Sequence, residues 1–252
     1  KILLQKINAT LTAKQNIIAL KPFSADLYGG TLKGAADANT NNSSYQLHMN
    51  LKNVSAKDLL TNLYQFKQFS GNMNSNFSLN TQGNNGAELT RQLHGQAQFD
   101  FQNGQLAGTD IAYMARKALS LVNHSIKVPD NQHMTKFGHM TGQMQINQGV
   151  AHTQVNLTSP VLQANGSGPI DLNTKHLKLK CLATLMQGSL SDPKPIEPSI
   201  PFKISGAFSH LSFQPDTSAI IKTLGEQQLK KQLHGQLKHL GGKTLGNLLG
   251  NL

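Results

Sequence analysis

The sequence predicts a mainly β protein, and three observations predict it. Apolar and polar residues alternate at period two in run after run. Turn signals rich in Gly and Asn separate these runs. Charged residues make up only 14% of the 252, and the missing polarity comes from Asn, Gln, Ser and Thr, a mixture suited to strands and turns rather than exposed helices. In an extended chain successive side chains point to opposite faces, so each run has one apolar and one polar side.

Seven runs show the alternation clearly, in chain order: "QLHMNL" (Leu47, Met49, Leu51), "NFSLN" (Phe77, Leu79), "QFDFQ" (Phe99, Phe101), "QMQIN" (Met144, Ile146), "TQVNLT" (Val155, Leu157), "KLKCLA" (Leu179, Cys181, Ala183) and "FKISGAF" (Phe202, Ile204, Phe208). Within "KHLKLKC", Leu177, Leu179 and Cys181 share one surface while His176, Lys178 and Lys180 share the other. Turns are expected at 28–34, 39–44, 103–108, 147–149 and 165–168, where Gly and Asn cluster. Asp26 and Asp37 read as residues flanking such a turn rather than as an acid/base pair.

Helices interrupt the strands. "SAKDLLTNLYQF" offers Ser55 as an N-cap and sets Leu59, Leu60, Leu63 and Phe66 on one side. "TDIAYMARKALSLV" does the same with Ile111, Met114, Ala115 and Leu119. These predict short capping helices near 55–66 and 109–122. "SDPKPIEPSIP" carries Pro193, Pro195, Pro198 and Pro201 and predicts an exposed crossing loop. From Asp216 the character changes: Ile220, Ile221, Leu224, Leu229, Leu233, Leu237 and Leu240 recur at helical spacing among Lys222, Lys230, Lys231 and Lys238. The segment 216–252 therefore reads as an amphipathic helix and tail, either packed on the sheet or lying on an anionic membrane surface. The domain reading is a β domain over 1–215 followed by this helix.

Net charge is +11, which attracts anionic partners in general. Nucleic acid is excluded as the expected partner, because the only arginines are Arg91 and Arg116, there is no Trp, and aromatics are 6%. The single Cys181 forbids an intramolecular disulfide and reads as a small buried apolar residue. No cofactor or metal is expected: no P-loop, GxGxxG, HExxH or GxSxG occurs, and the nearest metal-like pair, His133 and His139, has no carboxylate or cysteine close in sequence and is placed in a loop or helix. The chain is expected not to be an enzyme. No run of about 18 apolar residues occurs, and the start "KILLQKINAT" is neither a signal peptide nor an initiating methionine, so a targeting sequence or anchor is expected upstream.

Four segments, "ADLYGGTLKGAADAN" (25–39), "LTRQLHGQAQFDFQNGQLAGTDI" (89–111), "MTGQMQINQGVAHTQVNLTSPVLQANGSGPIDLNTKHLKLK" (140–180) and "IPFKISGAFSHLSFQPD" (200–216), together resemble the C-terminal region of the AsmA-like family of bacterial envelope proteins. The resemblance implies an N-terminal inner-membrane anchor absent from this chain and a periplasmic β-rich body. It also implies a likeness to bridge-type lipid carriers, in which an open, strongly curved antiparallel-rich sheet forms an apolar groove for acyl chains.

Alternation alone favours an ordinary two-layer core; the resemblance turns the expectation to the groove. The lining is then expected at Leu47, Met49, Leu51, Phe77, Leu79, Phe99, Phe101, Val155, Leu157, Leu177, Leu179, Ile204 and Phe208. The expected partners are phospholipid acyl chains, with a membrane surface at the C-terminal helix and envelope proteins as further candidates. The expected role is inner-to-outer membrane lipid transport or outer-membrane assembly. Two alternatives remain at this point. One is a structural module that docks an envelope partner through its sheet edges without lipid. The other is a hydrolase with an unrecognised site.

Overall fold

A computed structural model describes residues 2–120, 126–189, 192–216, 218–220 and 222. The chain divides into two units, Lys1–Pro215 and Asp216–Leu252. In the second unit, the Asp216 carboxylate accepts from the Ala219 N–H at 3.3 Å, and a helical start follows. The leucine stripe expected beyond it lies outside the described residues.

The first unit is one twelve-stranded sheet: β1 Leu4–Lys14, β2 Ile17–Leu27, β3 Gly30–Asn39, β4 Ser44–Ser55, β5 Phe69–Gln82, β6 His94–Ala107, β7 Met134–Asn147, β8 Val150–Thr158, β9 Leu162–Asp171, β10 His176–Ser189, β11 Asp192–Ala207 and β12 His210–Pro215. Strand order follows sequence order and every described pairing is antiparallel. The sheet does not close, since β1 and β12 are its two edges.

Three short helices sit in the connections: α1 Ala56–Tyr64, α2 Gly86–Arg91 and α3 Ile111–Ser120. α1 begins at the expected N-cap, where the Ser55 hydroxyl accepts from the Asp58 N–H at 3.4 Å. α3 is pinned harder. One oxygen of Asp110 accepts from the Tyr113 N–H at 2.9 Å and the other from the Gln132 N–H at 3.0 Å. The Thr135 hydroxyl accepts from the Ile111 N–H at 2.9 Å and donates to the Thr109 carbonyl at 2.8 Å. α2 was not expected; Asn85 caps it by accepting from the Glu88 N–H at 3.0 Å, while Glu88 reaches back to the Asn84 N–H.

The structure corrects several local expectations. The proline stretch is not a loop but the first part of β11. Its residues up to Pro201 pair with β10 alone, because β12 starts pairing at Phe202; a proline costs no ladder bond on a side that has no neighbour. Pro198 falls in the register shift between the pairs Leu185–Ile196 and Ala183–Ile200. Residues 103–107 and 165–168 are strand rather than turn. Asn103, at φ 50°, lies in a bulge of β6 against β5: between the pairs Asn72–Gln102 and Ser70–Gln105, Asn103 and Gly104 together oppose Gly71, while the pairing with β7 continues in register. The turn expected at 28–34 is confined to Tyr28 and Gly29. Asp26 and Asp37 lie within β2 and β3, where they pair with Lys6 at 2.8 Å and Lys21 at 2.7 Å. His139 is a β7 residue, and its ring nitrogen faces Asp100 at 3.3 Å.

Fully buried side chains include Val54, Leu119, Leu162, Leu185 and Ile200. Leu185→Ala is expected to lower the unfolding free energy by about 2–5 kcal/mol, and Lys178→Asp on the exposed side by less than about 0.5 kcal/mol. Urea denaturation of both variants checks this.

Candidate functional site

The strand register extends the two faces of each strand into rows that cross the whole sheet. One row takes a residue from every strand: Leu11, Leu20, Ala36, Leu47, Leu79, Gly95, Ile146, Ala151, Ile170, Leu177, Gly206 and Leu211. None is polar. On the other face a row runs Asn8, Ser24, Lys33, Asn50, Asn76, Gln98, Gln143, Gln154, Ser167, Lys180, Lys203 and Gln214. None of these is apolar. Their amides bond across strands, Asn50 to Asn76 and Gln143 to Gln154 at 2.9 Å.

Seven inter-strand spacings of about 4.8 Å would hold β5 and β12 roughly 34 Å apart in a flat sheet. Yet the Tyr64 ring, at the β4–β5 connection, meets the Phe208 ring, at the β11–β12 turn, edge-on with centroids 5.3 Å apart. A nine-residue helix spans only about 13 Å, so α1 cannot bridge that gap on its own. The second part of the sheet must therefore curl with its apolar face inward. Small inner-face residues allow this. Gly142 lies beneath the Phe99 ring and Gly104 beneath the Phe137 ring, and a Cβ at either glycine would overlap the ring. Both glycines are the register partners of those phenylalanines, so each ring lies across its neighbouring strand.

The curl encloses a cavity of about 410 Å³ with walls from β5 to β12 and from α1 and α3. A phenylalanine cluster forms one wall: Phe69 packs edge-on to Phe101 at 4.8 Å and beside Phe137 at 5.5 Å, and Phe66 stacks on Phe69 at 6.4 Å. Met140, Met144, Val155 and Leu157 continue from β7 and β8, and Leu177, Leu179, Cys181, Phe202, Ile204 and Phe213 close the far side. Among the described residues no charged one lines it. The Thr153 hydroxyl donates to the Ala151 carbonyl at 3.4 Å. α3 packs against β7, β10, β11 and β12, burying Ile111, Ala112, Ala115, Ala118 and Leu119. A second hollow of about 340 Å³ lies at β2–β5, lined by Ile18, Leu20, Ala36, Tyr45, Leu47, Leu79 and, from α2 and the residues after it, Leu89 and Leu93.

Of the expected lining residues, Phe99, Phe101, Val155, Leu157, Leu177, Leu179, Ile204 and Phe208 meet around the larger cavity. Leu47 and Leu79 line the smaller hollow. Met49 and Phe77 pair with each other between these, on the same face; Leu51 is buried opposite Ser75. Sequence reasoning missed Phe69, Phe137, Met140, Phe213 and the helix residues Leu60, Tyr64 and Phe66. Phe137 and Met140 were findable: with Gly142, Met144 and Ile146 they frame one long strand opposite the Asn103 bulge. Among the described residues no cluster of three or more His, Cys, Asp or Glu could hold a metal ion. No helix among them is long and apolar enough to cross a membrane.

An open antiparallel sheet with few short helices defines a mainly β protein. The AsmA family model matches residues 1–155, and the chain belongs to the AsmA family. This is a family of envelope-associated, generally non-enzymatic proteins. No curated protein and no solved structure matches the chain.

Cys181 reports on the cavity chemically. Burial pushes its thiol up to about 11 from an ordinary value of 9.0. The reactive species is the thiolate, so its alkylation by iodoacetamide is expected to rise about tenfold per pH unit from pH 8 to beyond pH 10, with no plateau near 9. A stopped-time mass measurement of adduct against pH checks it; a plateau near pH 9 contradicts the apolar surroundings.

Proposed function

We propose that this chain is a lipid-binding module of the bacterial envelope that shelters phospholipid acyl chains in its curled apolar face and takes part in lipid movement between the inner and outer membranes or in outer-membrane assembly. The observation that carries the reading is the larger cavity, roomy and, among the described residues, neither filled by side chains nor lined by a charged one. Such a space offers water few partners and an alkyl chain many, and each methylene moved from water into it gains about 0.8 kcal/mol. Its volume falls in the ordinary range for ligand pockets, about 300–1,000 Å³. The polar, amide-rich outer row keeps the other face wet, as a carrier in an aqueous compartment requires. The lining extends over Leu47, Met49, Leu51, Phe77 and Leu79 towards β1, so that the groove runs the length of the sheet. The periplasm is the compartment that this reading needs.

A second reading has one observation in its favour. Among the described residues no strand pairs with the outer edge of β1, and Ile7 and Leu11 on that strand are 59% and 67% exposed, as a strand-addition surface would be.

Native mass spectrometry of the purified chain, followed by phosphate assay of the extracted lipid, separates the two. Phospholipid is expected to co-purify. Leu179→Asp places a carboxylate beside the acyl chains and is expected to lower lipid per protein at least about fivefold while the fold persists. Lys178→Asp on the wet face leaves loading unchanged. A folded Leu179→Asp protein that keeps full loading, or a wild-type chain that carries no lipid from an envelope extract, contradicts the lipid reading.

A further inference from the structure

Among the described residues β12 has no hydrogen-bonded strand on its outer side, and the cavity needs a wall there. α1 supplies it: Leu60, Tyr64 and Phe66 line the cavity from the helix side, and the Tyr64 ring rests edge-on against Phe208. The two helices at the cavity are held very differently. α3 buries five of its ten residues and is tied down on both sides of the β7 start, through Asp110 to Gln132 before β7 and through the Ile111 N–H to Thr135 within it. α1 buries only Ala56 and Leu59, at its N-terminal end, while Leu63 and Tyr64 at the other end are 44% and 38% exposed. Its last turn stops at Gln65, which takes a left-handed backbone with φ 56° and turns the chain back towards β5. A nine-residue helix has little stability of its own, and the side that faces β11 and β12 is held by aromatic contact rather than by a ladder of hydrogen bonds.

From these contacts we propose that α1 is a lid on the groove. It hinges at Ser55–Ala56, its Tyr64–Phe208 ring pair is the latch, and acyl chains pass between α1 and the β11–β12 turn when the latch opens. Breaking one ring contact opens this side without disturbing any pair in the sheet register. The lid depends on the lipid reading only for what passes beneath it; the opening itself can be read without lipid, because Cys181 lines the same cavity.

The test uses the whole chain with Tyr64→Cys and Phe208→Cys introduced together. The exposed thiols are bridged at neutral pH with a short bismaleimide or, as the control, capped with a monofunctional maleimide; Cys181, with its raised pKa, reacts far more slowly. Iodoacetamide labelling of Cys181 at pH 9 is then timed. Bridging is expected to slow it at least about tenfold relative to capping, and Tyr64→Ala in the otherwise native chain to speed it severalfold with the melting temperature nearly unchanged. Equal rates in bridged and capped protein overturn the lid. The second arm follows release of dansyl-undecanoic acid. Slower release from bridged protein supports the lid as the path of the alkyl chain. Slowed Cys181 labelling with no uptake of the probe by any form leaves the lid standing and sinks the lipid reading.

Discussion

Everything in this molecule depends on one constraint: the period-two alternation must stay in phase through eleven consecutive pairings. A slip of one residue in any strand would turn its apolar side chains out to water and bring lysines and amides in. The register avoids this even where the strands are irregular. Shifts occur in β1 against β2, β2 against β3, β4 against β5, β5 against β6 and β10 against β11, yet the row from Leu11 to Leu211 crosses the sheet with no polar member. The bulge at Asn103 shows how. Two residues of β6 oppose one of β5, the extra residue takes a left-handed backbone, and Phe99 and Phe101 stay on the same side as Leu106.

Because the apolar face is continuous, what becomes of it is decided by curvature alone. At the β5–β12 end, larger side chains stand beside Gly on neighbouring strands, as in Phe99 beside Gly142 and Val155 beside Gly166, and the inner face can shorten. Towards β1 the inner residues are larger relative to their neighbours, as with Leu20, Leu47 and Leu79, and only a shallow hollow forms under Leu89. The same chemistry thus yields a chamber at one end and an open surface at the other. β1 carries the consequence, with Leu11 two-thirds exposed at 67%.

Much of the wall was legible in the sequence. The faces of β4, β5, β6, β8 and β10 followed from Leu47, Phe77, Phe99, Val155 and Leu177 standing at every second position, and Ser55 marked the start of α1 correctly. The strands that escaped notice are those whose pattern Ala, Gly and Pro dilute. In β3 the inner residues are Ala36 and Gly34; in β9 they are Ala164 and Gly166, and the Asn-Gly-Ser-Gly run there looks like a turn because its glycines answer a need for small size across the sheet rather than for a bend. The proline-rich first part of β11 escaped for another reason. Proline is forbidden in a strand only where its nitrogen must donate, and the sequence does not tell which strand lacks a neighbour. The meeting of Tyr64 with Phe208 was invisible altogether, since it follows from the accumulated curl of seven strand pairs and not from either local sequence.

The strict hairpin order of the strands shapes how the chain reaches its native state. Each strand finds its partner immediately upstream, so pairing can advance one hairpin at a time while the polypeptide emerges from a ribosome or a translocation pore, and no early strand waits for a distant one. The exception is the ring contact at α1, which joins residues more than half the chain apart. Assembly should accordingly end there, with the sheet complete and the chamber shutting last.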